Sequence, residues 1–258
     1  MNENKKILKI NINWIIKFVY LVIVAIIIVL LLGYSKDNYK IKYKIINDYA
    51  YVYGYEGSPR IVEIQSTYKG KPVKLIDDNA FRKCDTLEYI ILPDSVENIG
   101  CQSFMYCKNL KNIILPNKMK QIRESAFAGC VSLRSIEIPE GIEKLWHYTF
   151  YLCTNLENIV FPNTLKEIQL ETFYGCNIKE LVLPDGIEIV YARAFYKCVN
   201  LNKVTIPVSM KEIMEDSFND CIELRKVYYK GTLEQWNDIK DVEYLLELNN
   251  GMLDINTY

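Results

Sequence analysis

The chain has little of what catalysis or nucleic-acid binding requires. Its 258 residues include one histidine, and 31 basic side chains are balanced by 32 acidic ones. This balance argues against the basic surface that a phosphate backbone needs, so we do not expect nucleic acid as a partner, and one histidine excludes an HExxH metal site. The 11 glycines lack the spacing of a dinucleotide-binding or P-loop motif. No Asn-x-Ser/Thr acceptor occurs, which favours a bacterial source.

An apolar segment occupies the N-terminus. The run from Phe18 to Leu32 carries no charge, and Trp14 to Ile16 extend it past Lys17 to about the 20 residues that a membrane helix needs. We therefore predict a cytoplasmic stub (1–13) and a transmembrane helix or signal anchor (14–34). A cleaved signal peptide, which would release a secreted protein, remains the alternative. Lysines flank the run evenly, so the expected extracellular repeat domain rests on export by an N-terminal span.

Three residue types recur at one period through the rest of the chain. Phenylalanine, proline and cysteine each return every 23 residues, with one step of 22. The members are Phe81, Phe104, Phe127, Phe150, Phe173, Phe195 and Phe218; Pro93, Pro116, Pro139, Pro162, Pro184 and Pro207; Cys84, Cys107, Cys130, Cys153, Cys176, Cys198 and Cys221. In each unit, the alternation L-x-x-I-x-L before the proline predicts a short strand. Because one unit has one apolar face and cannot bury it alone, the pattern predicts a solenoid of about seven stacked repeats.

These motifs resemble a known family. The strand pattern followed by P-x-x-h-x-x-I and A-F-x-x-C is similar to the bacterial leucine-rich repeat of the BspA-like, Treponema-type class. Ala80, Ala126 and Ala194 keep the alanine before phenylalanine, whereas Thr149 and Thr172 replace it. The resemblance extends over about residues 45 to 240. It implies an α/β, β-rich leucine-rich-repeat solenoid whose strands line the concave side, and exported surface proteins used for adhesion and protein binding.

The two ends of the repeat array depart from the motif. We assign 35–44 to a linker, 45–80 to an N-terminal cap, 81–229 to the solenoid and 230–258 to a C-terminal helical cap and tail. Thr232 to Gln235 fit a capping box that starts a helix, from which Leu233, Trp236 and Ile239 would cover the last repeat. The purpose of residues 241–258 is open.

The cysteines are the most reactive side chains of the repeats. Their neighbours in adjacent turns should lie about 4.8 Å apart, more than the ~3.8 Å Cβ separation of a disulfide, so we expect free thiols packed in the core. A disulfide or a metal site is the weaker alternative. Cys101 and His147 should lie about 10 Å apart, too far for a nucleophile pair or for shared metal ligation.

The acidic and basic residues near the turns predict a solvated, mixed-charge face rather than an acid/base pair. Its members are Glu97, Glu143, Glu167, Glu188 and Glu212 with Lys120, Lys144, Lys166 and Lys211.

The outward side chains of the strands offer a binding surface. One row is mostly apolar, and we call it the stripe: Ile91, Ile114, Glu137, Val160, Val182, Thr205 and Tyr228. A second row, which we call the border, is polar and aromatic: Tyr89, Asn112, Ser135, Asn158, Glu180, Lys203 and Lys226. An apolar patch with a polar rim is typical of a protein contact, although β-branched residues also favour strands for their own sake.

These features together predict a non-enzymatic, membrane-anchored protein of the cell surface. It would bind a protein or cell-surface ligand through its strand face, with no cofactor and no metal. The alternative is a structural scaffold that assembles with copies of itself at the membrane without a foreign ligand. An enzyme is a distant third, because its chemistry would have to come from residues that we interpret as packing.

Overall fold

Each repeat folds into one turn of a solenoid, and each turn contributes two short strands to two parallel rows. A computed structural model describes residues 38–242, 245 and 254–257. The elements are β1 (Tyr39–Ile46), β2 (Tyr49–Gly57), β3 (Ile61–Glu63), β4 (Thr67–Tyr68), β5 (Lys71–Ile76), β6 (Tyr89–Ile91), β7 (Asn98–Ile99), β8 (Asn112–Ile114), β9 (Gln121–Ile122), β10 (Ser135–Glu137), β11 (Lys144–Leu145), β12 (Asn158–Val160), β13 (Glu167–Ile168), β14 (Glu180–Val182), β15 (Ile189–Val190), β16 (Lys203–Ile206), β17 (Glu212–Ile213), β18 (Lys226–Tyr229), α1 (Leu233–Asn237) and β19 (Asp254–Thr257).

The strands that precede the prolines form the first row. Parallel ladders join β3–β6–β8, β10–β12 and β14–β16–β18, and β8 packs beside β10. The second row consists of β5–β7–β9 and β11–β13–β15–β17, also parallel. Because β3 pairs with β6 in the same register, the solenoid has about 8 turns, one more than the sequence motif predicts. The additional turn lacks the phenylalanine and cysteine of the others, and Val62 and Ile64 fill its interior.

Phenylalanine and cysteine columns run through the core. The seven phenylalanine rings are fully buried and stacked nearly parallel, with centroids of successive rings 5.2–5.5 Å apart. Tyr55 extends the stack at its N-terminal end, with its ring 5.5 Å from that of Phe81. Continuous burial of this kind is what a single turn cannot supply, so neighbouring turns stabilise one another.

Left-handed backbone occurs twice in each of the seven turns that carry the phenylalanine, two residues before it and two residues after it. The residues with positive φ are Asn79, Gln102, Ser125, Tyr148, Glu171, Arg193 and Asp216 before it, and Lys83, Tyr106, Gly129, Leu152, Gly175, Lys197 and Asp220 after it. This conformation interrupts any α-helix. The α/β part of the predicted fold class is therefore corrected. The described repeats contain strands and turns, and α1, which has five residues, lies after them.

The N-terminal end is closed by an antiparallel hairpin. β1 pairs with β2, and β2 in turn pairs parallel with β5. The hairpin turns at Asn47, whose φ is 52°. Because β1 begins at Tyr39, most of the segment 35–44 that we predicted to be a linker is a strand. Its alternating tyrosines and lysines suit an edge strand with one face against the cap and lysines toward water.

The C-terminal end is covered by α1 and by a strand from the tail. The predicted capping box is present: the Thr232 side chain accepts from the backbone N–H of Gln235, and the Gln235 side chain accepts from the backbone N–H of Thr232. Trp236 and Ile239 are buried, but Leu233 is 63% exposed, which corrects its predicted packing role. Leu233 is the first residue of α1, and it is Trp236 that packs on the last repeat, with its ring centroid 5.5 Å from that of Tyr229.

The tail also extends the first row of strands. β19 pairs parallel with β18, with Lys226 opposite Asp254. No helix among the described residues is long and apolar enough to span a bilayer. The predicted membrane segment 14–34 and the stub before it lie outside the described residues.

Candidate protein-binding face

The outward side of the first strand row forms one continuous surface, which we call the strand face. Alternate residues of each strand point inward, as Ile90, Ile113 and Ile136 do, so stripe and border residues point outward. In the stripe, Ile91 is 38% exposed, Ile114 41%, Val160 56% and Val182 57%. These values place an apolar row in water, where a strand with a solvated face normally alternates to polar residues.

The stripe is shorter than the sequence predicts, because Thr205 is buried with 8% exposure. Thr205 lies opposite Val182 on one side and Tyr228 on the other. Lys203, also on β16, places its Nζ 5.0 Å from the centroid of the Tyr228 ring. With 8% of its surface exposed, Thr205 is not available to a partner. The accessible apolar stripe therefore runs from Ile91 to Val182.

The border remains partly or fully exposed along its whole length. Its ends carry charge and aromatic groups: Lys111 Nζ lies 5.8 Å from the centre of the Tyr89 ring, and Lys203 lies 3.9 Å from Glu180. Its middle is neutral, and consists of Asn112, Ser135 and Asn158. The border thus offers uncharged hydrogen-bonding groups beside the centre of the stripe.

Glu137 occupies the centre of the accessible stripe. It is exposed, and it lies opposite Val160 in the ladder and one turn after Ile114. None of the salt bridges formed by the described residues includes Glu137. Within this described part of the chain, the face therefore presents one carboxylate without a partner cation between two pairs of apolar side chains.

The cysteine column has a structural explanation. From Cys107 onward, each thiol of the column donates a hydrogen bond to the backbone carbonyl of the phenylalanine in the preceding turn, as from Cys130 Sγ to Phe104 O and from Cys153 Sγ to Phe127 O, both at 3.2 Å. All cysteines of the described chain are free thiols. Burial raises the pKa of Cys153 to about 12 and that of Cys130 well above its usual value. Thiols held in the neutral form are poor nucleophiles and poor metal ligands.

Cys101 and His147 occupy equivalent turn positions two turns apart, with Glu124 between them. The backbone N–H of Cys101 donates to Asp78 at 2.7 Å, and the His147 carbonyl accepts from Ser125 at 3.0 Å. Their roles in the described structure are those of turn residues. No group of three or more histidine, cysteine or acidic residues among the described residues could hold a metal ion.

The mixed-charge face forms ion pairs between neighbouring turns on the second strand row. Glu97 lies 2.8 Å from Lys74 and 2.5 Å from Lys120, and Glu188 lies 2.6 Å from Lys211. Lysine hydrogen bonds hold the pKa values of both carboxyls below their usual range. The pairs are exposed on at least one side, so they neutralise and order the surface rather than form a reactive site.

The tail borders the strand face at a position that the repeat period does not predict. The strand β19 lies next to β18, but Lys226 and its opposite residue Asp254 are 28 positions apart rather than 23. A search for the repeat period therefore passes over it. The sequence signal for this strand is the alternation of polar and apolar residues in Asp-Ile-Asn-Thr, and four residues are too few to predict a strand.

Comparison with known proteins agrees with this geometry. A family model described as "BspA type Leucine rich repeat region (6 copies)" matches residues 74–191 and 166–239. A leucine-rich repeat protein of Treponema pallidum is 25% identical, with a TM-score of 0.56, over 84% of this chain and 95% of that one. A leucine-rich cell surface protein of Faecalibacterium prausnitzii is 16% identical, with a TM-score of 0.53, over 80% of this chain and 97% of that one, and supports the fold alone. No curated protein matches the chain.

Proposed function

Because the chain belongs to the BspA-type leucine-rich-repeat family, we propose that it is a non-enzymatic, membrane-anchored protein of the bacterial cell surface that binds another protein or a cell-surface ligand through its strand face. Adhesion to such a ligand is the biological role that this proposal implies. Apolar contact along the stripe supplies the affinity, and the border supplies specificity.

The single observation that supports the binding role is the exposed apolar row of Ile91, Ile114, Val160 and Val182. Contact with a partner would remove these side chains from water, at a gain of roughly 25 cal/mol per Å² of apolar area buried. The polar border beside the row, which is neutral at its centre, satisfies the pattern of an interface with an apolar centre and a hydrogen-bonding rim.

Site-specific cross-linking in the expressing cells tests the binding role. A photoreactive amino acid replaces Val160 in the full chain, and a matched variant carries it at Val208, which is equally exposed at 56% but lies after the proline, outside the stripe. We expect one discrete cross-linked species from position 160 and none from position 208. Equal cross-linking from both positions would contradict the proposal.

A double substitution then tests the stripe as a source of affinity. Ile114→Lys with Val160→Lys should abolish binding of the cross-linked partner and leave the fold intact, because both residues are exposed. The control is Val208→Lys with Ile222→Lys, which adds the same charge at sites of 56% and 58% exposure outside the stripe. Normal binding by the stripe variant would show that the stripe is not the contact.

Digestion of intact cells tests the location. If residues 14–34 anchor the chain with its repeats outside, added protease removes the C-terminal tail from unbroken cells. A cytoplasmic marker protein must survive as the control. Protection of the tail until the cells are lysed, and also after removal of any outer layer, would place the repeats inside and contradict the surface role.

A further inference from the structure

The carboxylate of Glu137 restricts what can cover the stripe. In the free protein Glu137 is exposed and solvated, with Ile114 and Val160 on its two sides and neutral Ser135 and Asn158 next to it. A partner that covers these apolar neighbours also removes water from the carboxylate. A charge that loses its water and gains no partner opposes binding strongly.

A second copy of this chain does not meet the requirement of Glu137. A two-fold contact repeats the same patch on both subunits. Because Glu137 is central in the accessible stripe, an axis through that centre would bring the two Glu137 carboxylates together, and like charges repel. An axis displaced by half a strand spacing or by one whole spacing would set Glu137 against Ile91, Ile114, Val160 or Val182 of the other copy. Both arrangements leave the carboxylate without a cation.

We infer, resting on the proposed function, that the partner presents an arginine or lysine flanked by apolar side chains, and that this cation pairs with Glu137. The flanking apolar groups then cover Ile114 and Val160, one strand spacing of about 4.8 Å to either side. Asn112, Ser135 and Asn158 offer side-chain oxygens and donors beside the pair, which satisfy the remaining hydrogen bonds of a partly buried cation.

Selection from a random-peptide phage library on the full chain in detergent micelles tests this inference. We expect the selected peptides to be enriched in arginine or lysine between apolar residues. Their affinity should fall at least about tenfold on Glu137→Gln, because the loss of one member of a buried charge pair has this effect or more. A parallel selection on Glu137→Lys should instead enrich aspartate and glutamate.

Glu143→Lys is the matched control, because Glu143 belongs to the same repeat and is exposed, but precedes β11 in the other strand row. This variant makes the same change in net charge as Glu137→Lys and should leave peptide affinity unchanged. Far-ultraviolet circular dichroism and thermal unfolding verify that each variant is folded.

The outcomes separate this inference from the proposed function. Peptides that lose affinity on Val160→Lys, but show no basic enrichment or no response to Glu137→Gln, would refute the cation while leaving the binding face in place. Peptides whose affinity is unchanged by Val160→Lys would refute both the cation and the binding face. Self-association in sedimentation velocity that strengthens on Glu137→Gln would make a second copy the occupant and would overturn the inference.

Discussion

The ring of Tyr106 occupies the space where a side chain on Gly129 would begin. A Cβ added to Gly129 would lie 2.7 Å from Cε1 of Tyr106 and closer still to Cδ1. The two residues hold the same position in successive turns, and each has the left-handed backbone, with φ of 60° and 72°. A Cβ added to Gly175 would likewise lie 2.9 Å from Cδ2 of Leu152 in the preceding turn. From Tyr106 to Gly175, large residues and glycines thus alternate between neighbouring turns.

This contact predicts that Gly129→Ala lowers the free energy of unfolding by more than backbone strain alone would. Left-handed alanine costs about 1–2 kcal/mol, and displacement of the Tyr106 ring adds about 1–3 kcal/mol. Gly70→Ala is the control, because Gly70 has φ of 76° with nothing within 4 Å of the added Cβ. Urea unfolding should show the larger loss at 129. When Tyr106 is also replaced by alanine, Gly129→Ala and Gly70→Ala should lower the free energy of unfolding by about the same amount. A larger loss for Gly129→Ala in that background would contradict the ring contact.

Removal of one ring from the phenylalanine column should weaken the fold locally. Phe127 is fully buried, with its ring centroid 5.3 Å from that of Phe104 and 5.5 Å from that of Phe150. We expect Phe127→Ala to cost about 3–5 kcal/mol, and the better-filling Phe127→Leu to cost less. Amide hydrogen exchange should accelerate more in the turns on either side of Phe127 than in the terminal caps. Uniform acceleration across the chain would contradict stabilisation by neighbouring turns.

The thiols should separate into one accessible group and seven protected ones. Cys101 is half-buried, whereas the other cysteines are buried. A maleimide reagent on the native protein should label Cys101 alone, and all eight cysteines after denaturation in urea. Burial also raises the pKa of Cys101, so its labelling should accelerate as the pH rises. Mass spectrometry measures the label count, and Cys101→Ser should abolish native labelling. Labelling of Cys153 without denaturant would contradict the buried column.

Glu97 should stabilise the fold in neutral solution and not in acid. The Lys120 hydrogen bond, then that of Lys74, lowers its folded-state pKa. A lowered pKa contributes stability above the unfolded value of about 4.3, and this contribution is lost as the pH falls through the folded value. Glu97→Gln should therefore cost about 0.5–1 kcal/mol at pH 7 and almost nothing at pH 3. Urea unfolding at the two pH values measures this.

Glu143→Gln provides the control for that measurement, since Glu143 is exposed and belongs to none of the salt bridges of the described residues. We expect this variant to match the parent protein at both pH values. An equal loss at pH 3 and pH 7 for Glu97→Gln would mean that packing, rather than ion pairing, is the role of that side chain.

The period of the sequence was sufficient to predict the repeated part of the fold. One phenylalanine, one cysteine and one proline per 23 residues can be buried or placed together only if successive turns stack in register. The pairing of Ser135 with Asn158, and of Glu180 with Lys203, follows that rule. The capping box at Thr232 was equally predictable, because it depends on residues three positions apart.

The first turn of the solenoid was not predictable from the motif. β3 pairs with β6 in the register of every later turn, yet its turn carries neither the phenylalanine nor the cysteine. Tyr55 stacks on Phe81 from the preceding cap and takes the place of the missing ring. The motif does not show that an aromatic residue of another strand fills this position, because the two residues come together only in the folded chain.

What the sequence by itself determined is the direction of each side chain in the repeats, since alternation along a strand and a constant period fix which residues point inward. Only the tertiary structure decided how much of the outward set stays in water. Thr205 and Val182 both occupy outward positions of their strands, but Thr205 is 8% exposed and Val182 is 57% exposed. The exposed fraction of an outward side chain depends on the size and orientation of its neighbours one turn away, and the repeat period specifies neither.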